Sequence, residues 1–513
     1  MSMSVVIASL AFPLWIRLTH YINILFIGLM IRSGIQILSA HPRLYWSNRS
    51  EPNNRWFKFT RNQWIKFTKA KLPDNKLYTS MDDEGQVSPW IGLPGKDNLG
   101  LGRHWHFFVA IFWILNGAVY IILLFTSGEW SRLIPTSWDI FPRAWQTFLT
   151  YASFHIPPAS DFRPFDPLQQ LAYAGVVFIL GPFLIVTAAA QSPAIEAHFP
   201  WYVKIFGGRQ SARSLHFLGL AAMIAFIIVH TALVFIVHFQ DNIRNIVLGT
   251  TGSSFALALT IGIIALIVVA AIYAWASVYS LKHKRQMQHA LGKVVDPTRK
   301  ALLHDEASKQ HYKPEDITRY FWVNGDPPDT DEYERLVENN FEDWQLDICG
   351  LVEHPLHLSL EDLRALPKQT QMTLHNCIQG WSGIAEWGGV CLTEILKLCK
   401  PTPEARYLVL TSYQKGRGAV KPELKEAQDH TFYGTLDMEL ANHPQTILAY
   451  EMNGEPLPIP HGAPLRLRVE TQLGYKMVKY LRSIELVKDY SHIGEGQGGF
   501  REDFQYYGRG AEI

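Results

Sequence analysis

Five long apolar runs dominate the first 281 positions of the chain, and beyond them the pattern changes to short alternating runs separated by turns. The runs at 14–38, 106–127, 168–190, 215–238 and 255–281 are close to or above the roughly 20 residues a helix needs to cross a hydrocarbon core. Each predicts a membrane-spanning helix, because a helix satisfies its own backbone in lipid. After position 313, strand-like runs (WQLDICGLV, QMTLHNCI, RYLVLTSY, PLRLRVE) alternate with short helical ones such as LSLEDLRAL and CLTEILKLC, without a repeating strand–helix–strand unit. The expected architecture is multi-domain, an all-α bundle of five transmembrane helices followed by a mixed α+β domain. The expected boundaries are 1–282 for the membrane domain, 283–313 for a polar linker or stalk, 314–490 for the soluble domain and 491–513 for a tail, whose run GEGQGG reads as flexible.

The histidines change the picture of the membrane half. His216 and His230 are fourteen residues apart in the fourth run, nearly four helical turns and about 21 Å of rise, so both imidazoles point to nearly the same face. His20 lies early in the first run, and the second opens on RHWHFF, where His104 and His106 are about 200° apart around a helix. With spans that alternate in direction, the start of the first helix and the end of the fourth share a membrane side, which pairs His20 with His230. The starts of the second and fourth helices share the other side, which pairs His106 or His104 with His216. Two bis-histidine haem sites stacked across the bilayer follow, although any one of these histidines alone could equally cap a helix end. His41, His198 and His238 sit at span ends and read as interfacial.

The runs RLTHYINILFIGLMIRSG, RHWHFFVAIFWILNG and RSLHFLGLAAMIAFIIVH resemble the di-haem cytochrome b subunits of formate dehydrogenases and nickel-iron hydrogenases over about positions 10–240. The resemblance implies two haem b groups on His20, His106, His216 and His230, and favours His106 over His104.

Cysteine usage isolates one thiol. All four cysteines fall in the soluble half, and none forms a CxxC pair of the zinc or thioredoxin kind. Cys349, Cys391 and Cys399 lie in apolar patterns and read as small buried hydrophobes. Cys377 instead ends a β-like run and precedes a glycine turn in TLHNCIQGWSGIAEW, a setting for a metal ligand. A formal net charge of +1 gives no argument for nucleic acid. Neither a removable signal peptide, a Walker loop nor a dinucleotide GxGxxG is expected.

The motifs YFWVNG, TLHNCIQGW, FYGTLDMELA, ILAYEMNGEPLPIPHGAPLRLRV and LGYKMVKYL, in this order, resemble the molybdenum-cofactor domain of the sulfite oxidase family over about 320–487. The resemblance implies that Cys377 gives a thiolate to the molybdenum of a molybdenum-molybdopterin, and soft thiolate suits such a metal. It places His461, Arg466 and Lys479, five and thirteen residues apart in turn, on the pterin phosphate. It makes Tyr433 the active-site hydroxyl and puts Asn324 and His375 beside the cofactor. The chain departs from the pattern at Val323, where sulfite oxidases carry an anion-binding arginine, and it ends without their dimerisation domain. Arg319 or Arg417 could supply the missing charge, and a neutral oxo compound such as a sulfoxide is as good a candidate as sulfite.

The expected function is a membrane-bound molybdenum oxidoreductase that transfers an oxygen atom to or from a small oxo-donor or oxo-acceptor, coupled through two b haems to a quinone or another redox partner in the bilayer. The alternative is a haem b electron conduit, or a quinone-reactive cytochrome, whose soluble domain docks or regulates. A bacterial-type inner membrane is expected. Flanking cations (Lys204, Arg209, Arg213, Lys282, Lys284, Arg285 and a basic loop from Arg43 to Arg103) favour the cytoplasm for the soluble domain over the periplasm. Within that loop RWFKFTRNQWIKFTKAK reads as an interfacial helix or a solvated basic face.

Overall fold

The computed structural model describes residues 12–59, 77–157, 165–302, 311–422 and 424–508. Most of the basic loop segment expected at the membrane interface lies outside these residues. Among the described residues five helices are long and apolar enough to cross a bilayer: α1 (Leu14–Ala40), α2 (Leu99–Thr126), α3 (Pro167–Ala189), α4 (Arg209–Ile236) and α5 (Phe255–Lys282). The spans are those the apolar runs predict, but α2 and α4 begin several residues earlier than hydropathy suggests. α4 starts on Arg209 and Gln210, which find partners in Asn376, Gly380 and Ser382, so that helix continues past the apolar stretch. In α3 one π-helical turn, Val176–Leu180, precedes Pro182, whose ring and missing N–H disfavour an uninterrupted α-helical ladder there.

The chain forms two compact units. The first comprises Met1–Ser33, Trp105–Ala189 and Leu215–Lys282. Its helices are tied by polar groups that cannot remain unpaired in lipid: Trp113 Nε1 donates to Asn23 Oδ1 at 2.8 Å, Asn116 Nδ2 to the Thr19 carbonyl at 3.0 Å and Tyr273 Oη to the Ile24 carbonyl at 2.7 Å. Gly28 makes the α1–α5 approach possible, since a Cβ there would sit 2.0 Å from the Tyr273 hydroxyl.

The second unit comprises Gly34–His104, Ala190–Ser214 and His283–Ile513. One sheet contains β1 (Gln345–Gly350), β2 (Leu356–Ser359), β5 (Tyr407–Lys415), β6 (Thr431–Asp437) and β10 (Leu481–Val487) in the order β2-β1-β10-β5-β6, with β1 and β10 parallel. The other runs β8-β7-β4-β3, from β3 (Lys368–Asn376), β4 (Ser382–Cys391), β7 (Thr446–Met452) and β8 (Glu455–Pro456), with β9 (Arg466–Val469) also on β7. The strands coincide with the alternating runs, and the helix Leu360–Ala365 starts where Ser359 and Asp362 form a capping box. An apolar core including Trp344, Leu408, Leu448, Leu467 and Ile484 draws on strands of both sheets.

The linker and the tail are more regular than their composition suggests. Within the expected linker or stalk, residues 284–302 form a helix, α6 (Lys284–Leu302), that buries Met287, Leu291 and Val295 on one face. Four-residue spacing puts those three apolar side chains in one stripe. The glycine run near the C-terminus likewise leads into a helix, α7 (Phe500–Phe504), all of whose residues are buried. Arg285 of α6 donates to the carbonyls of Glu502 at 2.9 Å and Asp503 at 2.6 Å, and Gln288 donates to that of Tyr507 at 2.8 Å.

Candidate molybdopterin and haem sites

Cys377 lies in the turn joining β3 to β4, whose last pair is Asn376 opposite Ser382. The turn closes on itself: Cys377 N–H donates to the Trp381 carbonyl at 3.1 Å and Gly380 N–H to the Cys377 carbonyl at 3.0 Å. Gly380 has φ +118°, which side chains rarely adopt. The thiol is 3 % exposed, packed with Tyr78, Trp322 and Trp381. Asn324 Nδ2 lies 3.7 Å from Sγ, and Sγ lies 3.7 Å from Gln379 Oε1. Burial pushes the thiol up to about 11, against the opposing pull of Gln379 N–H, Arg501, Asn324 and Arg209. Without a cationic partner at the sulfur it stays protonated at neutral pH, and a metal would reverse that.

Behind Asn324 the structure gathers the three predicted phosphate ligands. Lys479 Nζ donates to the Asn324 carbonyl at 2.9 Å and to the Pro460 carbonyl at 3.2 Å, and Arg466 Nη1 to the His461 carbonyl at 2.7 Å. A Cβ on Gly462 would meet Lys479 Cβ at 3.0 Å and Arg466 Cβ at 3.2 Å, which shows how closely these side chains converge. Burial, Lys479 and Arg466 hold His461 down at about 3. Burial and Arg468 bring Arg466 down to about 9, while burial, Arg466 and Arg501 hold Lys479 well below its ordinary value. Arg466 Nε is buried without a hydrogen-bond partner. Cations packed this closely, with an orphaned donor among them, form a cradle that fits an anion such as a phosphate.

His375, on β3 two residues before the thiol, has its Nδ1 3.0 Å from Arg468 Nη1. A guanidinium only donates, so Nδ1 accepts and Nε2 carries the proton. Burial and Arg468 keep the ring well below its ordinary pKa and therefore neutral. Gly474 leaves the room for it, since a Cβ there would come within 2.4 Å of Nε2. Arg468 is itself held by Glu470 through contacts of 2.8 and 2.7 Å, with both side chains buried.

Tyr433 is placed differently from the other predicted site residues. Its hydroxyl lies 2.6 Å from Asp503 Oδ2 and 3.1 Å from the Ile493 carbonyl, and burial together with Asp503 raises its pKa. Its polar contacts thus go to the C-terminal segment. Neither cation suggested as a substitute at Val323 enters the site: Arg319 is exposed and Arg417 lies 3.5 Å from Asp329 at the surface.

Sequence reasoning missed the polar start of α4. Arg209 Nη1 donates to Asn376 Oδ1 at 3.2 Å, and Gln210 Nε2 to the Gly380 carbonyl at 2.8 Å and Ser382 Oγ at 3.0 Å. Arg213 donates to the carbonyls of Arg43 and His41. The run RQSAR ahead of an apolar span was the available signal. Glu84 was also missed; its Oε2 lies 3.4 Å from Gln379 Nε2, and burial pushes its carboxyl up to about 7.

In the membrane unit the rings of His20 and His230 have centroids 6.2 Å apart. Two imidazoles on opposite faces of one metal, with nitrogen–metal bonds of about 2 Å, stand at about this separation. His20 Nδ1 is buried without a partner, while His230 Nδ1 lies 3.3 Å from Tyr173 Oη. His216 Nδ1 lies 3.1 Å from the Leu184 carbonyl and 3.2 Å from Thr187 Oγ1, and His106 Nδ1 3.1 Å from Ser33 Oγ. Hydrogen bonds at Nδ1 orient a ring so that Nε2 can meet an iron. His104 turns elsewhere, with Nδ1 2.9 Å from the Gly100 carbonyl one turn back on its own helix.

Comparison with known families agrees with both halves. Residues 11–249 match the prokaryotic cytochrome b561 family, and residues 334–493 match the oxidoreductase molybdopterin binding domain. The chain is similar to the putative protein-methionine-sulfoxide reductase subunit YedZ1 of Azospira oryzae, 33% identical over 42% of this chain and 69% of that protein. It is also similar to the protein-methionine-sulfoxide reductase catalytic subunits MsrP of Campylobacter jejuni, 33% identical over 30% of this chain and 52% of that one, and of Xanthomonas campestris, 31% identical over 34% and 54%. The chain thus spans about half the length of these two MsrP relatives. With five apolar spans and both family matches, it is a multi-pass membrane oxidoreductase of the prokaryotic cytochrome b561 family, carrying a molybdopterin-binding domain in the same polypeptide.

Proposed function

We propose that the protein reduces a sulfoxide at the Cys377 turn, using electrons delivered through two b haems from a membrane quinol. The observation that carries this reading is the buried thiol beside Asn324, with the His461–Arg466–Lys479 cradle behind it. A molybdenum-molybdopterin held there supplies two-electron oxygen-atom exchange, and the net reaction consumes sulfoxide, two electrons and two protons and yields sulfide and water. Cys377 would ligate the metal, the cradle would bind the pterin phosphate, and His375 would offer its Nε2 proton to the cofactor. Tyr433 acts from the margin by holding Asp503. Sulfoxide is preferred to sulfite because the relatives named above are a putative subunit and catalytic subunits of protein-methionine-sulfoxide reductases. A docking module would have no use for two converging, largely buried basic side chains, Arg466 and Lys479, which cost free energy unless an anion compensates them.

His20 with His230, and His106 with His216, would carry the two haems, with lipid around them and the quinol as partner. The soluble side is read as cytoplasmic from the flanking charge. Arg43, Arg209 and Arg213 are buried, which leaves Lys204, Lys282, Lys284, Arg285 and the rest of the basic loop as the flanking charge. A reporter fused after Ile513 that is active only in the periplasm would reverse the sidedness.

The test is a titration of the dithionite-reduced full chain with methionine sulfoxide and, separately, of the oxidised chain with sulfite. Sulfoxide should reoxidise the haems, and Cys377→Ala should abolish this while leaving both haems in place. Haem reduction by sulfite without reoxidation by sulfoxide, or a wild-type protein that contains no molybdenum, refutes the reading.

A further inference from the structure

The C-terminal segment brings another cation to the Cys377 turn. α7 begins at Phe500, beyond the last residue, 493, that matches the molybdopterin-binding family. Arg501 is 9 % exposed; its Nη1 donates to Gln505 Oε1 and its Nη2 lies 3.5 Å from Asn324 Oδ1. Both partners are neutral amides, and among the described residues no carboxylate pairs with this guanidinium.

The neighbouring acids are already engaged. Glu502 Oε1 lies 2.7 Å from Lys476 Nζ, and Asp503 accepts from Tyr433 Oη at 2.6 Å and from the N–H groups of Glu495 at 2.9 Å and Gln497 at 3.0 Å. These bonds, with those from Arg285 to the Glu502 and Asp503 carbonyls, hold α7 so that Arg501 faces Asn324, whose Nδ2 lies 3.7 Å from Cys377 Sγ. A buried, fixed and unpaired cation is costly unless a negative group arrives to meet it. Lys479 lies on the carbonyl side of Asn324, whereas Arg501 lies at the oxygen of its side-chain amide, the group whose Nδ2 faces the thiol.

We propose that Arg501 binds the negatively polarised oxygen of the substrate at the Cys377 centre and so sets which oxo compounds the site accepts. The inference rests on the molybdenum reading of Cys377. A sulfoxide oxygen carries most of the negative charge of a strongly dipolar S–O bond, and an inorganic oxyanion carries a full charge. A guanidinium fork suits both.

The experiment compares full-length wild type, Arg501→Lys and Arg501→Met, each assayed for molybdenum and haem content, for dimethyl sulfoxide turnover and for sulfate binding by calorimetry. Expected are unchanged metal and haem contents, and a KM for dimethyl sulfoxide raised about tenfold or more in Arg501→Met with a smaller change in kcat, the loss of one charged hydrogen bond. Sulfate binding should weaken by a similar factor, and Arg501→Lys should recover part of both. Unchanged KM and sulfate affinity at full molybdenum content overturn the proposal. Molybdenum loss in both variants also overturns it, by making Arg501 an anchor for the cofactor. Absence of molybdenum from the wild type would instead refute the reading of Cys377, and sulfate calorimetry would still report on Arg501 because it needs no turnover.

Discussion

Replacing Glu470 by Gln should destabilise the molybdopterin-binding domain severely. The Arg468–Glu470 pair is bidentate, with side chains 0% and 2% exposed. Removing the charge of one partner leaves a buried guanidinium uncompensated, a change worth about 3–5 kcal/mol. For a domain of this size about 1 kcal/mol corresponds to roughly 2–4 °C in melting temperature, so the expected fall is about 6–20 °C. The loss should extend to the site, because Arg468 also holds His375 Nδ1 and stacks 4.3 Å from the Trp387 ring centroid. Thermal unfolding of the full chain in detergent, followed by near-UV circular dichroism, reads the change, and metal analysis of the purified variant reads retention of molybdenum. The double variant Arg468→Met/Glu470→Leu should recover much of the lost stability, since apolar groups of similar volume need no compensation. A Glu470→Gln variant that melts within about 1 °C of wild type, or a double variant no better than the single, would refute the argument.

Three further outcomes are expected. His230→Ala should remove one b-type absorbance component and His216→Ala the other, in redox-titrated difference spectra of membranes; persistence of both components in either variant contradicts the pairing. Gly380→Ala forces a side chain into φ +118° and sets its methyl 3.3 Å from the Arg213 guanidinium. A cost of about 1–3 kcal/mol and reduced molybdenum content should follow, and a normal melting temperature with full metal would count against the turn geometry. Glu84 has its carboxyl raised by burial from 4.5 to about 7, so the folded state keeps the proton to higher pH than the unfolded chain does. Its contribution is complete below pH 4.5 and is lost as pH rises through about 7. Glu84→Gln should therefore flatten the fall in melting temperature between pH 5 and 7, and parallel curves for the two proteins would show that Glu84 does not titrate there.

The local parts of this protein were legible from its residues. A bilayer demands about 20 apolar residues per helix, and that demand is written contiguously in the chain, so all five spans were readable and only the early starts of α2 and α4 were misjudged. The depth pairing of His20 with His230 needed only helix rise and alternating direction, and the two rings lie with centroids 6.2 Å apart, tilted by 56°. His461, Arg466 and Lys479 were singled out through a family resemblance carried by ordered motifs, and the folded chain brings the three side chains together.

Tertiary structure decided what surrounds the thiol. Arg209 meets Asn376 across 167 positions and Arg501 meets Asn324 across 177, and no local pattern encodes contacts at such separations. Tyr433 shows the same limit: its motif predicted a hydroxyl at the active site, and packing of α7 supplied Asp503 as its partner. The GEGQGG run reads as flexible because its glycines favour disorder in isolation, yet the buried face of α7 holds it down. Backbone periodicity and lipid length act over a few turns and are set by neighbouring residues. Burial, charge compensation and the choice of hydrogen-bond partner depend on which distant segments arrive together, and only the folded chain determines that.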